Sequence, residues 1–266
     1  MKNQFMYISK FYDANGKEQI VSDKISDAQM EYIKQAFHRI QQFLDETDHY
    51  LTVLINAQRF LEMSQKGSSE EETTFVELNL YFTNYLNAFY TWVTFHNHEE
   101  DLYYANMYNE LKESYQKENL VYSLARDLRH YTTHNGFAIN EIIFDVLNEK
   151  TSYWITPKFY FHAQKNSKTS SMVKNNLSEI QSTGIEAVKF TMDFISMFKK
   201  LQNDFWKIAW PAIEEEVQII SEITAPNAPD CYNTCVESPS DTSFHYHVGR
   251  ILYLYSKRLQ FLQQFQ

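Results

Sequence analysis

Large apolar side chains, most of them aromatic, recur at helical spacing in one segment of this chain, and this stripe limits what the chain can fold into. Its members, which are four, three, four and three residues apart, are Leu78, Phe82, Tyr85, Phe89 and Trp92. Such spacing places side chains on one face of an α-helix. Because so wide an aromatic face must be buried, we expect a helix over 72–96 in the core of a helical bundle.

The scarcity of turn-forming residues also favours long helices. The 266 residues include only 5 Gly and 5 Pro, which argues against a β-sandwich or a propeller. Residues 1–25 nevertheless predict a β-hairpin, because strand-forming residues flank Asn15-Gly16. Residues 141–147 and 153–161 predict a second hairpin. We therefore expect a mainly α fold, a helical bundle with two small peripheral β-hairpins.

Helical periodicity accounts for most of the remaining chain. It predicts one helix or two over 26–63 (with a break near 46–49 if there are two), and further helices over 99–116, 120–134 and 177–210. Pro211 breaks or restarts the last of these helices. We expect loops over 163–176 and 225–243. A final helix contains Leu252, Tyr255, Leu259 and Leu262. No linker separates two folding units. We expect a single domain over 1–266, with a hairpin over 1–25, a helical core over 26–136, a hairpin over 137–162 and C-terminal helices over 177–266 that complete the bundle.

The overall charge excludes simple electrostatic attraction to nucleic acid. Lys and Arg number 24 against 34 Asp and Glu, so the formal net charge is −10 and any nucleic-acid role needs a local basic cleft. No apolar run reaches the roughly 18 residues of a membrane span, and the N-terminus has no signal-peptide pattern. Two cysteines cannot form a disulfide framework. We expect a cytoplasmic protein that does not contact a membrane.

The densest basic segment is Leu124–His134, with two arginines and two histidines in nine residues. At about 100° per residue, Leu124, Leu128 and Tyr131 share one face of a helix. The opposite face carries the basic and polar residues, namely Arg126, Arg129, His130, Thr133 and His134. We expect the first face to be buried in the bundle and the second to meet solvent or a partner.

These side chains suit phosphate chemistry. A histidine transfers protons near neutral pH, and an arginine stabilises charge on a phosphate oxygen. RNA cleavage needs no metal, because the ribose 2′-hydroxyl is itself the nucleophile. Arg129 and His134 lie about 140° apart around the helix, so they do not sit side by side. A two-fold partner that supplies its own copy would bring such groups together.

Arg129-His130-x3-His134 resembles the R-x4–6-H motif of the HEPN superfamily, helical-bundle proteins that include many prokaryotic RNases. The context LRHYTTHNGFAI resembles a bacterial HEPN group in which a similar run follows a long helix with spaced asparagines. Asn79 and Asn84 stand where those asparagines fall. The resemblance covers residues 26–136.

The resemblance implies a metal-independent endoribonuclease without a cofactor, active as a homodimer with the motif helices at the two-fold axis. Similar proteins serve as toxins or anti-phage defence effectors, so an antitoxin or a defence protein is an expected partner besides RNA. In this chain Arg129 would stabilise the scissile phosphate, His134 would be the acid–base residue and His130 the auxiliary that orients them. Arg126 and Asn84 are candidates for substrate binding.

Other interpretations stay open. One is a non-catalytic HEPN-like module that binds a nucleotide or a protein, favoured by the acidic net charge, by Leu80 in the place of an arginine after Asn79, and by the C-terminal half that the resemblance leaves uncovered. Another is a solvated basic helix face, and a third is pairing of its arginines and histidines with Asp127. Lysines also give the predicted loop over 163–176 and its flanks a basic character that suits a solvated loop or an RNA backbone: Lys158, Lys165, Lys168 and Lys174.

One further group of residues has the chemistry of zinc ligands: Cys231, Cys235, His245 and His247. The C-x3-C spacing departs from the usual C-x2-C of zinc sites. Two free thiols in a loop and two histidines at a helix start explain the same residues. We therefore expect no metal site, and keep a zinc-stabilised interaction protein as the least favoured alternative.

Overall fold

A computed structural model describes residues 5–12, 15, 17–65, 71–95, 105–148, 150–224, 234–238, 241–246, 255–257 and 260. The helices are α1 (Asp27–Gln65), α2 (Glu71–Phe95), α3 (Ala105–Glu118), α4 (Leu120–Asn135), α5 (Pro157–Lys165), α6 (Ser171–Thr183) and α7 (Ala187–Thr224). The strands are β1 (Phe5–Tyr12), β2 (Glu18–Ile25), β3 (Ile139–Asp145), β4 (Lys150–Ile155), β5 (Thr234–Ser238) and β6 (Asp241–Tyr246). The mainly α prediction is confirmed, and no helix in these ranges is long and apolar enough to cross a membrane.

The chain divides into two compact units, and the first comprises Met1–Thr47 with Ala209–Gln266. Its antiparallel sheet has the strand order β2-β1-β5-β6, in which β1 and β2 are the predicted N-terminal hairpin. Phe43 packs against Trp210 and Tyr255, with ring centroids 6.0 Å away in both cases. The carboxylate of buried Glu216 accepts hydrogen bonds from Tyr32 and Arg39. Aromatic packing and the ion pair between Arg39 and buried Glu216 therefore contribute to holding this unit together.

The prediction of a loop over 225–243 is wrong for the residues of this range that the structure describes, because they form β5 and the beginning of β6. The free edge of β1 pairs with β5 from Met6↔Glu237 to Ser9↔Thr234. These polar strands depend on a partner strand more than 200 residues away, which local composition does not reveal. Of the predicted last helix, Tyr255 is described and helical, whereas Leu252, Leu259 and Leu262 lie outside the described residues.

The second unit, Asp48–Ile208, contains the predicted aromatic stripe. All five stripe residues of α2 are fully buried. Phe89 and Trp92 pack edge-on against Phe198 of α7, with ring centroids 5.5 and 4.9 Å away. On another side of the stripe, Phe82 meets Phe60 of α1 at 5.4 Å. The stripe is the core of this unit, as its spacing predicts.

Several predicted boundaries need correction. The break predicted at Pro211 is wrong, because α7 is continuous through this exposed residue, whereas α1 is continuous through 46–49 and so is one helix, as the first of the two alternatives has it. The helix predicted over 177–210 is instead two helices, because Gly184 ends α6 with a left-handed φ of 72°. In the second hairpin, β4 stops at Ile155 rather than continuing to Phe161.

The end of β4 starts a helix that the sequence pattern does not predict. The side chain of Thr156 caps α5 and Pro157 is its first residue, an arrangement that favours helix initiation. Most of the predicted loop over 163–176 is therefore helical, since α5 and α6 leave only residues 166–170 between them. This short connection, which we call the α5–α6 loop, lies beside the motif helix.

Candidate functional site

Helix α4 carries the basic motif and buries the face that its periodicity predicts. The side chain of Asn119 caps its start by accepting a hydrogen bond from the backbone N–H of Tyr122, and Gly136 follows its last residue with φ 98°. Leu124, Leu128 and Tyr131 are buried. The predicted boundaries and the predicted end of this helix at Asn135-Gly136 are confirmed.

The opposite face of α4 is not simply open, because another segment of the same chain lies against it. The carboxylate oxygen Oδ2 of Asp127 accepts hydrogen bonds from the backbone N–H and the Oγ of Ser170, both at 3.1 Å. Ser170 is also the residue that caps the start of α6. Part of the face that we expected to meet solvent or a partner therefore meets the α5–α6 loop and the first turn of α6.

A cleft of about 240 Å³ lies between these segments. It is lined by Tyr90, Gln116, Ser123, Arg126, Asp127, Arg129, His130, Lys168 and Ser170. Three side chains carry permanent positive charge and His130 can take up a proton, against the one carboxylate of Asp127. The cleft is thus a locally cationic site in an acidic protein, which is the arrangement that an anionic ligand requires.

Arg129 is held by stacking rather than by a carboxylate. Its guanidinium lies over the ring of Tyr90, with Cζ 3.8 Å from the ring centroid. Its Nε is buried and has no hydrogen-bond partner in the described part of the chain. Stacking on an aromatic face fixes the plane of a guanidinium without neutralising it. Arg126 differs, because its Nη1 donates a hydrogen bond to Oε1 of Gln116.

Three histidines meet at the edge of the cleft. The ring of His130 lies 4.7 Å from that of His134 and 5.8 Å from that of His162, measured between centroids. Burial lowers the pKa of His130 below its usual value, and the nearby His134, His162, Lys168 and Arg129 lower it further. His130 is therefore neutral at pH 7 and can accept a proton when an anion binds beside it.

The amide of Asn166 selects the tautomer of the His162 ring. Its Oδ1 accepts a hydrogen bond from the backbone N–H of Lys168 at 3.0 Å, so its Nδ2 is the group that faces Nε2 of His162, also at 3.0 Å. An amide Nδ2 only donates, and Nε2 must therefore be the acceptor. The neutral ring of His162 consequently carries its proton on Nδ1, and the same amide ties it to the loop that bears Lys168.

Asp127 has an unusual environment for a carboxylate. Burial raises the pKa of Asp127 to about 6, although the hydrogen bonds from Ser170 and the charges of Arg126 and Lys174 act in the opposite direction. In the described part of the chain Asp127 forms no ion pair with Arg126, Arg129 or His130. The interpretation in which Asp127 neutralises the motif is therefore not what the geometry shows.

The asparagines of α2 lie outside the cleft. Asn79 is fully buried, with Oδ1 accepting from the backbone N–H of Ile139 and Nδ2 donating to the carbonyl of Ile139, both at 3.0 Å. It fastens the start of β3 to α2. Asn84 is half-buried and does not line the cleft, whereas Tyr90 on the same helix does.

The predicted site residues are brought together only in part. Arg126, Arg129 and His130 line one cleft, and His134 is exposed at its edge, in contact with His130 rather than Arg129. Sequence reasoning placed Lys168 only in a basic loop, and it missed Tyr90 and Ser170 as cleft residues. The Ser170 side chain accepts from the N–H of Val173, an N-cap pattern that was a readable signal for a helix start.

The candidate zinc ligands fall in and beside the strands β5 and β6. Cys231 and His247 are outside the described residues, and Cys235 and His245 belong to the neighbouring strands β5 and β6. Within the ranges given above, no group of three or more His, Cys, Asp or Glu side chains is placed to hold a metal ion.

Comparison with known proteins finds no family model, no curated protein and no solved structure that matches this chain.

Proposed function

We propose that this protein is a metal-independent endoribonuclease of the HEPN type that cleaves RNA at the cleft beside α4. The observation that supports this most is the position of Lys168. It comes from a different segment of the chain, yet lines the same small space as Arg126, Arg129 and His130. Positive groups from separate segments that meet around one space favour a bound phosphate.

The side chains present can carry out the reaction without a metal. Arg129 stabilises charge on the scissile phosphate, and Arg126 and Lys168 add positive charge on the other walls of the cleft. His134 is the acid–base residue, and His130, whose ring contacts it, orients it or the phosphate. Attack of the 2′-oxygen on phosphorus releases the 5′-oxygen, so the products are a 2′,3′-cyclic phosphate and a 5′-hydroxyl.

The proposal is tested by incubating a mixed RNA pool with the protein in EDTA. We expect the wild type to cleave and His134→Ala to be slower by about a hundredfold or more, since proton transfer contributes on this scale. His38→Ala, which removes an exposed histidine of α1, is the matched control and should cleave like the wild type. Equal cleavage by the wild type and His134→Ala would remove His134 from the mechanism.

A homodimer is part of the proposal. His134 is exposed at the end of α4, and Phe137 beside it is 51% exposed, which suits a contact across a two-fold axis near residues 126–134. Light scattering should give a dimer mass at micromolar protein concentration, and Phe137→Asp should shift it towards the monomer. A monomer under these conditions would contradict this part of the proposal.

One observation favours the alternative of binding without cleavage. The cleft of about 240 Å³ is small for a nucleic-acid groove and suits a single nucleotide-sized group. Tight mononucleotide binding by a protein that leaves the RNA pool intact would select the binding module.

A further inference from the structure

Asp127 supplies the one carboxylate among the residues that line the cleft. Its Oδ2 is occupied by the two hydrogen bonds from Ser170. In the described part of the chain no hydrogen bond or ion pair uses its Oδ1. The side chain is thus held at one oxygen, while the other is an acceptor that no donor in the described part of the chain occupies, on a residue that lines a cleft with three permanent cations.

A carboxylate in this position weakens phosphate binding, because it reduces the positive potential of the cleft. Its presence indicates a ligand that also brings a hydrogen-bond donor. RNA brings one next to every phosphodiester, the ribose 2′-hydroxyl, which both donates and accepts. DNA lacks this group. An acceptor beside a phosphate site therefore distinguishes the two nucleic acids.

We propose that Asp127 binds the ribose 2′-hydroxyl through Oδ1 and removes its proton during RNA cleavage, while Arg129 and Lys168 hold the adjacent phosphate. This inference rests on the proposed ribonuclease function. The proton passes from O2′ to Oδ1 of Asp127, the O2′–P bond forms, the P–O5′ bond breaks, and His134, which then acts as the acid, donates a proton to O5′. No other reactant is needed.

The electrostatics of Asp127 agree with this role. Burial raises the pKa of Asp127 to about 6, so the carboxylate is ionised at pH 7 and is a stronger base than an exposed aspartate. The charged groups that act on it are Arg126 on its own helix and Lys174 on α6, with Arg129, His130 and Lys168 around the same cleft. Cleavage should therefore decrease as the pH falls through about 6.

The first arm of the test measures binding with probes that cannot be cleaved, adenosine 3′-monophosphate and 2′-deoxyadenosine 3′-monophosphate, by calorimetry. Wild type should bind the ribonucleotide about tenfold more tightly, the size of one hydrogen bond to a charged group. Asp127→Asn keeps an oxygen for Ser170 but removes the charge. It should bind both nucleotides more tightly and reduce the ratio of their affinities to about one.

Asp193→Asn is the matched control, since it removes one negative charge from an exposed position on α7. It should leave the tenfold ratio unchanged. An unchanged ratio in Asp127→Asn, or no preference for the ribonucleotide in the wild type, would overturn the assignment of Asp127. A urea denaturation curve with the same midpoint as the wild type would show that Asp127→Asn keeps its fold.

The second arm measures RNA cleavage against pH. Asp127→Asn should lower kcat by about a hundredfold without raising KM, and should lose the decrease in rate near pH 6. If Asp127→Asn cleaves at the wild-type rate, the assignment of Asp127 fails and the ribonuclease proposal stands. If the wild type binds the ribonucleotide but does not cleave RNA, the ribonuclease proposal fails, and the catalytic role of Asp127 fails with it.

Discussion

Replacing Arg129 by alanine should reduce RNA cleavage by about a hundredfold to a thousandfold, the scale on which one group that stabilises transition-state charge contributes. The loss should not arise from unfolding. The wild-type side chain is half-buried, stacks on Tyr90 and leaves its Nε unpaired, so its removal costs one stacking contact and relieves one unsatisfied donor. Cleavage rates measured beside urea denaturation curves would check both statements.

Lysine at position 129 tests whether the charge of the side chain is sufficient or whether the planar guanidinium is also needed. Arg129→Lys keeps the positive charge but loses the planar group that stacks on Tyr90 and that, in the proposed reaction, holds two phosphate oxygens at once. We expect it to recover less than a tenth of the wild-type rate. Arg59→Ala, at an exposed site on α1, is the control and should be fully active. Full activity of Arg129→Ala would place the phosphate elsewhere.

The sequence predicts those parts of the fold that local periodicity determines. Helices α2 and α4 follow directly from spacings of three and four residues, because each buries an apolar face against neighbours in its own unit. The cap of α4 at Asn119 and its end at Gly136 are likewise local features. These elements position Tyr90, Arg126, Arg129 and His130 at the cleft.

The rest of the candidate site depends on contacts between distant segments. Ser170 meets Asp127 across 43 residues. The sequence over 163–176 contains a signal for a helix start at Ser170, but nothing in it shows that this helix start lies against the motif helix. The arrangement of Lys168 depends on the same loop, through the amide of Asn166. The basic segment therefore forms one wall of the cleft only when α5 and α6 have formed on either side of the α5–α6 loop.

Asn79 is the opposite case, a residue of the resembling motif pattern whose observed contacts are structural. The spacing between Asn79 and Asn84 matches that of the asparagines in the pattern that resembles the HEPN group. In the structure its amide pairs with the N–H and the carbonyl of Ile139, which is 60 residues away. An asparagine amide matches a backbone amide in this way because each offers one donor and one acceptor.

Replacing Asn79 should therefore destabilise the protein rather than change its chemistry. In Asn79→Ala the N–H and the carbonyl of Ile139 lose this partner in a buried position, and we expect the free energy of unfolding to fall by roughly 2–4 kcal/mol. Asn79→Asp should be no better, because a carboxylate keeps the acceptor but faces the Ile139 carbonyl without a donor. Urea denaturation measures both changes.

Asn87→Ala is the control for Asn79, since Asn87 lies on the same helix and is exposed. Its effect should stay within about 0.5 kcal/mol, as for most surface substitutions. At urea concentrations where Asn79→Ala is still folded, its cleavage of RNA per folded molecule should match the wild type, because its amide lies outside the cleft. A stable but inactive Asn79→Ala would instead assign Asn79 a role in the reaction, and would mean that β3 is held to α2 by contacts other than this amide.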